Sequence, residues 1–233
     1  FEKYVYDTYP RNVGYLFFSG TQKSESITNG TYLNVKDRIG TTYPTLASDT
    51  LNFGKRVIDP KTKSLTIQFY VDIPKKINDN QIIFQKKSSL ANHFTIYLSS
   101  SNDIDNCNIG FAITSGSFFL NASSSIGKGS FKHVSAVYDN ESGRAKIIIF
   151  NTGSNKKESA TIVSSSNSIE FKSLDYQGSD LKIAHGENCR IAGDIFTPQE
   201  SFSGSIDEIR LYHEEKKLDA IVSEKDKSVY SSD

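Results

Sequence analysis

"FSGSIDEIRLYHEEKKL", residues 202–218, is the stretch on which the reading of the fold turns. It threads Ile206, Ile209 and Leu211 between Asp207, Glu208 and Arg210. A strand sends successive side chains to opposite faces, so apolar residues sharing a core belong two apart. Ile209 and Leu211 obey this spacing; Ile206 is out of step by one. A β-bulge at Glu208–Ile209 would add the missing residue and return all three to one core. The same alternation puts Asp207 and Glu208 on opposite faces. A retaining glycosidase needs two carboxyl groups about 5–5.5 Å apart on one surface, hence at i and i+2 of a strand. Around Asp207 those places hold Ser205 and Ile209. The stretch therefore reads as architecture, with Asp207 or Glu208 capping turns or pairing with Arg210, and no enzyme is expected.

Outward from it, the clearest local signal is "SLTIQFYVDIP", residues 64–74. Leu65, Ile67, Phe69, Val71 and Ile73 alternate with Thr66, Gln68, Tyr70 and Asp72, which predicts a strand with one face in the core. Pro74 ends it, because proline cannot donate to the ladder. "KKINDN" then turns and "QIIFQ" returns. "HFTIYLS", "CNIGFAI", "SFFLN", "FKHVSAVYD", "AKIIIF", "ATIVSSS" and "DLKIAHG" read as further strands, with "YLFFSG" at 15–20 a plausible first one. Turn signals at intervals of about 8–12 residues predict a β-sandwich or barrel. Helical periodicity is convincing once, in "KKLDAIVSEKDKSVY", where Leu218, Ile221 and Val222 share a side.

Composition agrees. The chain has 233 residues, 36% apolar and 12% aromatic. Short Ser-, Thr-, Asn- and Gly-rich stretches dilute an otherwise sufficient set of core residues. Lys plus Arg equals Asp plus Glu at 27 each, and the basic runs are short and mixed with acids, so nucleic-acid binding is not expected. No run approaches the ~18 apolar residues of a membrane span. The first residues are charged and aromatic, unlike a signal peptide, and the absence of Met leads us to expect a piece of a larger polypeptide. Cys107 and Cys189 lack metal-ligand spacing and are either a disulfide or two buried thiols. Three Asn-x-Ser/Thr sequons, at Asn29, Asn121 and Asn140, are of a kind that arises by chance in such a chain. No Gly-x-Ser-x-Gly occurs, and His93, His133, His185 and His213 stand in strand-like contexts without the neighbours of a catalytic triad.

Three segments in this order resemble the laminin-G-like, concanavalin A-like jelly rolls. "SLTIQFYVDIP" resembles the family's early strand, "FKHVSAVYDNESGRAKIIIFNTGS" its central hairpin, and "FSGSIDEIRLYHEEKKLDAIV" its closing strand and short helix. In the last, Phe202, Gly204, Ile206, Asp207, Glu208, Ile209, Arg210, Leu211 and Tyr212 all fit the pattern. Phe131 and Tyr70 stand where the family usually has Trp, and "NTGS" carries an extra turn residue. The resemblance implies an all-β fold, a two-sheet antiparallel β-sandwich with a short C-terminal helix. It spans about 49–225, so the expected division is a domain over 49–233. Residues 1–48 then supply either the first strand of the sandwich or an attachment segment.

Such folds host lectins, adhesion modules, toxin receptor-binding lobes, virion or phage proteins and some glycosidases, so function must be sought in a site. The resemblance implies Ca²⁺ on loops of Asp and Asn. The richest loop, "SSSNDIDNCN", offers Asp103, Asp105 and Asn106, with Asn108 beyond, though a polar turn explains it equally. For glycan binding, Tyr70, Tyr97 and Tyr176 are candidate platforms, set against the alternative that they pack across strands. The expectation is a non-catalytic binding or adhesion module of a larger surface protein that recognises glycan or protein on a cell surface. The alternative is a structural module of a virion or phage appendage, making contacts with other domains or subunits. Either places the domain at an extracellular, cell or virion surface, without membrane insertion.

Overall fold

A computed structural model describes residues 15–20, 30–36, 58–151, 159–176 and 179–227. Two six-stranded antiparallel sheets face one another, joined by a two-stranded hairpin and a short helix. The first sheet runs, edge to edge, β1 (Leu16–Ser19), β14 (Ser203–Tyr212), β3 (Leu65–Asp72), β8 (Lys132–Asp139), β9 (Arg144–Asn151) and β10 (Ser159–Ser164). The second runs β2 (Leu33–Val35), β11 (Leu181–Ile183), β4 (Gln81–Ser89), β5 (Asn92–Ser99), β6 (Asn106–Ser115) and β7 (Phe118–Gly127). The expected two-sheet β-sandwich is therefore present. Its first two strands come from the N-terminal region, each at the edge of a different sheet.

Period two builds the core. Leu65, Ile67, Phe69 and Val71 of β3 point inward with Val134, Ala136 and Tyr138 of β8 and Ile147 and Ile149 of β9. Opposite them stand Phe84, Phe94, Ile96, Ile109, Phe111 and Ile113. The Phe69 and Phe84 rings meet across the sheets with centroids 4.8 Å apart. Fully burying such a side chain contributes on the order of 1.5–3 kcal/mol, so this layer dominates the stability of the sandwich.

The closing strand carries the expected bulge. Asp207 pairs with Tyr70 and Arg210 with Gln68, leaving Glu208 and Ile209 opposite Phe69. Glu208 takes the left-handed conformation, φ 52°, and the Arg210 guanidinium donates to its carboxylate at 3.2 Å. The added residue lets Ile209 and Leu211 pack against the core that Ile206 enters, while Arg210 points outward to the C-terminal end of the helix, donating to the Glu224 carbonyl at 2.6 Å.

Alternation predicts one buried face for β3, yet its outer face is buried too. Helix α1 (Leu218–Glu224) lies on the same face of the sheet, with Ile221 packed on Val137 of β8 and on Ile148 and Phe150 of β9. The carbonyl of Lys225, just after the helix, accepts the Tyr70 hydroxyl of β3. The Thr66 hydroxyl donates to the Glu214 carbonyl, 2.7 Å. The outer face of the second sheet is covered differently. The hairpin of β12 (Cys189–Ile191) and β13 (Asp194–Phe196) lays Cys189 and Ile191 on Ile82, Tyr97 and Ala112. Its two-residue turn has both central residues at positive φ, Ala192 at 51° and Gly193 at 97°, as the right-handed twist of a tight hairpin requires. Cys107 and Cys189 are free and buried in different clusters, and burial raises each thiol to about 11. No helix among the described residues is long and apolar enough to cross a membrane.

His93 ties that hairpin down. Its Nε2 lies 3.0 Å from the Arg190 carbonyl, so this nitrogen carries the proton, and Nδ1 lies 3.0 Å from the Thr95 hydroxyl. Burial, against the opposing Arg190 hydrogen bond, holds the imidazole down at about 4.

Two outcomes follow from this geometry. Glu208→Gly should unfold in urea within about 1 kcal/mol of the parent, because glycine suits the left-handed bulge. Glu208→Val should lose roughly 1–2 kcal/mol more; equal losses would argue against a conformation-determined bulge. For His93, the unfolded chain takes up a proton below about 6.5, which the folded chain refuses until about 4. Stability should therefore fall as pH drops through that window, by on the order of 3 kcal/mol from this residue. His185, also lowered by burial, adds in the same sense. Urea midpoints at pH 7, 5.5 and 4.5 should show a visibly flatter pH dependence for His93→Gln.

Candidate functional site

The sequence-derived candidates are dispersed. Tyr176 is fully buried, its ring against Phe94 at 5.5 Å. Tyr70 lies on the outer face of the first sheet beneath α1, donating to the Lys225 carbonyl at 3.2 Å. Tyr97 lies on the outer face of the second sheet. Its hydroxyl donates to Asn121 at 3.0 Å and Phe196 covers its ring at 5.0 Å. An added Cβ on Gly110 would meet that ring at 2.3 Å, so Tyr97 packs flat on the strand beside it. These three tyrosines offer a sugar no open ring face, which corrects the platform expectation. In each case packing against a neighbouring ring, a covering helix or a covering hairpin uses the apolar area.

Asp103, Asp105 and Asn106 share one loop. Asp103 accepts the Asp105 backbone N–H at 2.8 Å and the Asn106 side-chain amide at 3.0 Å. These hydrogen bonds, the Asn106 amide first, hold its carboxyl below the usual range. Asp105 faces the Lys75 ammonium at 2.7 Å. Lys128 reaches under the loop to the Asp103 carbonyl at 2.9 Å and Asn78 at 2.7 Å. Among the described residues no group of three His, Cys, Asp or Glu side chains is placed to hold a metal ion. On the closing strand, Glu208 is engaged by Arg210 and Asp207 takes the Glu208 backbone N–H.

A different set of residues forms a cleft of about 540 Å³ on the outer face of the second sheet. Leu181 and Ile183 of β11 face the core, so Lys182 between them faces out, beside Lys87 of β4. The β11–β12 connection supplies His185, Gly186, Glu187 and Asn188, and Tyr32 comes from just before β2. Gly186 lets the connection lie close on the sheet, since a Cβ there would meet Ile82 at 2.5 Å. Gln85 then clamps the next peptide. Its amide nitrogen donates to the Glu187 carbonyl at 3.0 Å and its oxygen accepts the Glu187 N–H at 2.8 Å.

Thus fixed, Glu187 places its carboxylate between Lys182 at 2.5 Å and Lys87 at 3.1 Å. Those hydrogen bonds, Lys182 first, pull it down to about 2. Tyr32 remains 42% exposed and its ring stacks on His185 at 5.0 Å, tilted 34°. His185 is buried, and its Nδ1 has no hydrogen-bond partner among the described residues. No motif announces this cleft in the sequence. The weak signals were "HGEN" and the Tyr of "NGTYLNV", residues that lie some 150 positions apart.

The comparisons with known proteins agree with the fold. No curated protein sequence matches the chain. A SAP-like pentraxin from Limulus polyphemus, solved as a native heptamer, superposes with a TM-score of 0.54 at 16% identity, over 92% of this chain and 83% of its own. The CBM40 of the Ruminococcus gnavus IT-sialidase superposes at 0.52 with 12% identity, over 91% and 96%. At these identities the likeness is one of fold. The profile of the concanavalin A-like lectin/glucanases superfamily matches residues 44–221, a span that holds every described strand of the two sheets except the edge strands β1 and β2, and the chain belongs to that superfamily.

Proposed function

We propose that this domain is a non-catalytic carbohydrate-binding module of a larger surface protein, and that it holds its glycan in the cleft of Tyr32, Lys87, Lys182, His185, Glu187 and Asn188. The observation that carries the reading is an exposed aromatic ring beside convergent polar groups in a fixed concavity. A pyranose presents an apolar face that stacks on such a ring, and its hydroxyls take up hydrogen-bonding atoms such as His185 Nδ1. The superfamily includes lectins, and the Ruminococcus gnavus domain has been solved bound to α2,3-sialyllactose. Support for a non-catalytic role comes from the closing strand, where Arg210 engages the Glu208 carboxylate and Asp207 accepts the Glu208 backbone N–H.

The structural-module reading draws on a different feature. Tyr15, Leu16 and Phe17 are exposed at β1, with Phe17 at 64%. That edge would suit contacts with another subunit.

The isolated domain should bind a subset of a glycan array saturably, and Tyr32→Ala should weaken that binding at least ten-fold without shifting the urea midpoint. Titrations in calcium and in chelator test the Asp103 loop alongside. Absence of glycan binding, together with concentration-dependent assembly lost in Phe17→Ser, would favour the structural reading instead.

A further inference from the structure

Building on the carbohydrate-binding reading, we infer that the cleft selects a glycan bearing a carboxylate, which Lys87 and Lys182 hold where the Glu187 carboxylate now sits. Two ammonium groups from different strands converge on one anion. Lys182 Nζ reaches Glu187 Oε1 at 2.5 Å and Lys87 Nζ reaches Oε2 at 3.1 Å. The two cations are the better-anchored partners: their side chains are 28% and 15% exposed, against 55% for Glu187. They rise from β11 and β4, whose pairing fixes their separation.

Glu187 is anchored through its backbone, by the paired hydrogen bonds to Gln85. Its carboxylate can therefore swing into solvent while the β11–β12 connection stays in place. An ion pair whose carboxylate is 55% exposed contributes little to folding, so a ligand carboxylate can take its place. The hydrogen bonds from Lys182 and Lys87 draw the carboxyl down to about 2, in keeping with a position that favours an anion. The count of charges agrees. Two ammonium groups face one carboxylate, and His185 stays neutral because burial and the Lys182 charge lower it. The cleft is thus locally positive in a chain of zero formal net charge. The exposed Tyr32 ring borders the same cleft and would receive the sugar's apolar face.

A pyranose carboxylate occurs in uronates and in sialic acids, so both serve as probes. Isothermal titration would compare trigalacturonate with its trimethyl ester, and 3′-sialyllactose with lactose. The charged member of at least one pair should bind ten-fold or more tightly than its neutral counterpart, and the pair that shows this identifies the source of the carboxylate. Raising NaCl from 50 to 500 mM should weaken the charged ligand several-fold and leave the neutral one nearly unchanged. Lys87→Gln and Lys182→Gln should each remove most of the difference within the pair. Glu187→Gln, which deletes the internal competitor, should tighten the charged ligand about three-fold or more. Equal binding of acid and neutral forms would overturn the inference while leaving carbohydrate binding intact. So would a Glu187→Gln variant that weakens both forms, since Glu187 would then be accepting sugar hydroxyls. If none of the four sugars binds, and the array is also blank, the carbohydrate reading itself fails.

Discussion

The contact of Phe69 with Phe84, ring to ring across the two sheets, represents the constraint that the rest of the molecule obeys. Each sheet must send its large apolar side chains into one shared layer, and a strand has only two faces. Once Phe69 and its β3 neighbours Leu65, Ile67 and Val71 point inward, Thr66, Gln68 and Tyr70 must point out. Once Phe84 and Ile96 point inward, Lys87, His93 and Tyr97 must point out. The lysine of the cleft is therefore set by the same periodicity that builds the core.

Bulges adjust this rule where the sequence is out of step. On β14 the extra residue at Glu208–Ile209 reconciles Ile206 with Leu211 and turns Arg210 outward to the end of α1. On β4 the register shift between Ile82 and Phe84 lets Ile82 pack beneath the β12–β13 hairpin while Ile83 and Phe84 join the main core. Both bulges thus serve two layers at once. Each outer face then receives its own cover, a helix on one sheet and a hairpin on the other. The cleft lies on the second sheet, walled by the connection that leads into the covering hairpin.

The strand pattern was largely legible. β3, β5 and β8 alternate over eight residues each, and the broken period at Ile206–Ile209 announced its bulge. β2 and the β12–β13 hairpin were not legible. Their strands are three residues long, and the hairpin turns on Ala192-Gly193 where Asn-Gly would have signalled it. The candidate tyrosines failed for a related reason. Tyr70 and Tyr97 do face outward, as alternation requires, but whether an outward face is open depends on what folds over it. Segments more than 90 residues further along the chain do so here.

The two-sheet sandwich, as against a barrel, was what the family resemblance implied; by itself, the sequence determined the inward residues of the long strands, the closing bulge and the C-terminal helix. Those features follow from local periodicity and backbone chemistry, which neighbouring residues carry. Only the tertiary structure decided which outward faces are covered, which aromatic ring stays exposed, and that Tyr32, Lys87, Lys182 and Glu187 meet. Those facts depend on the order of strands in the second sheet, where β2, β11 and β4 lie side by side although they are far apart in the chain. Hydrogen bonds between distant strands set that adjacency, and no local pattern of residues encodes it.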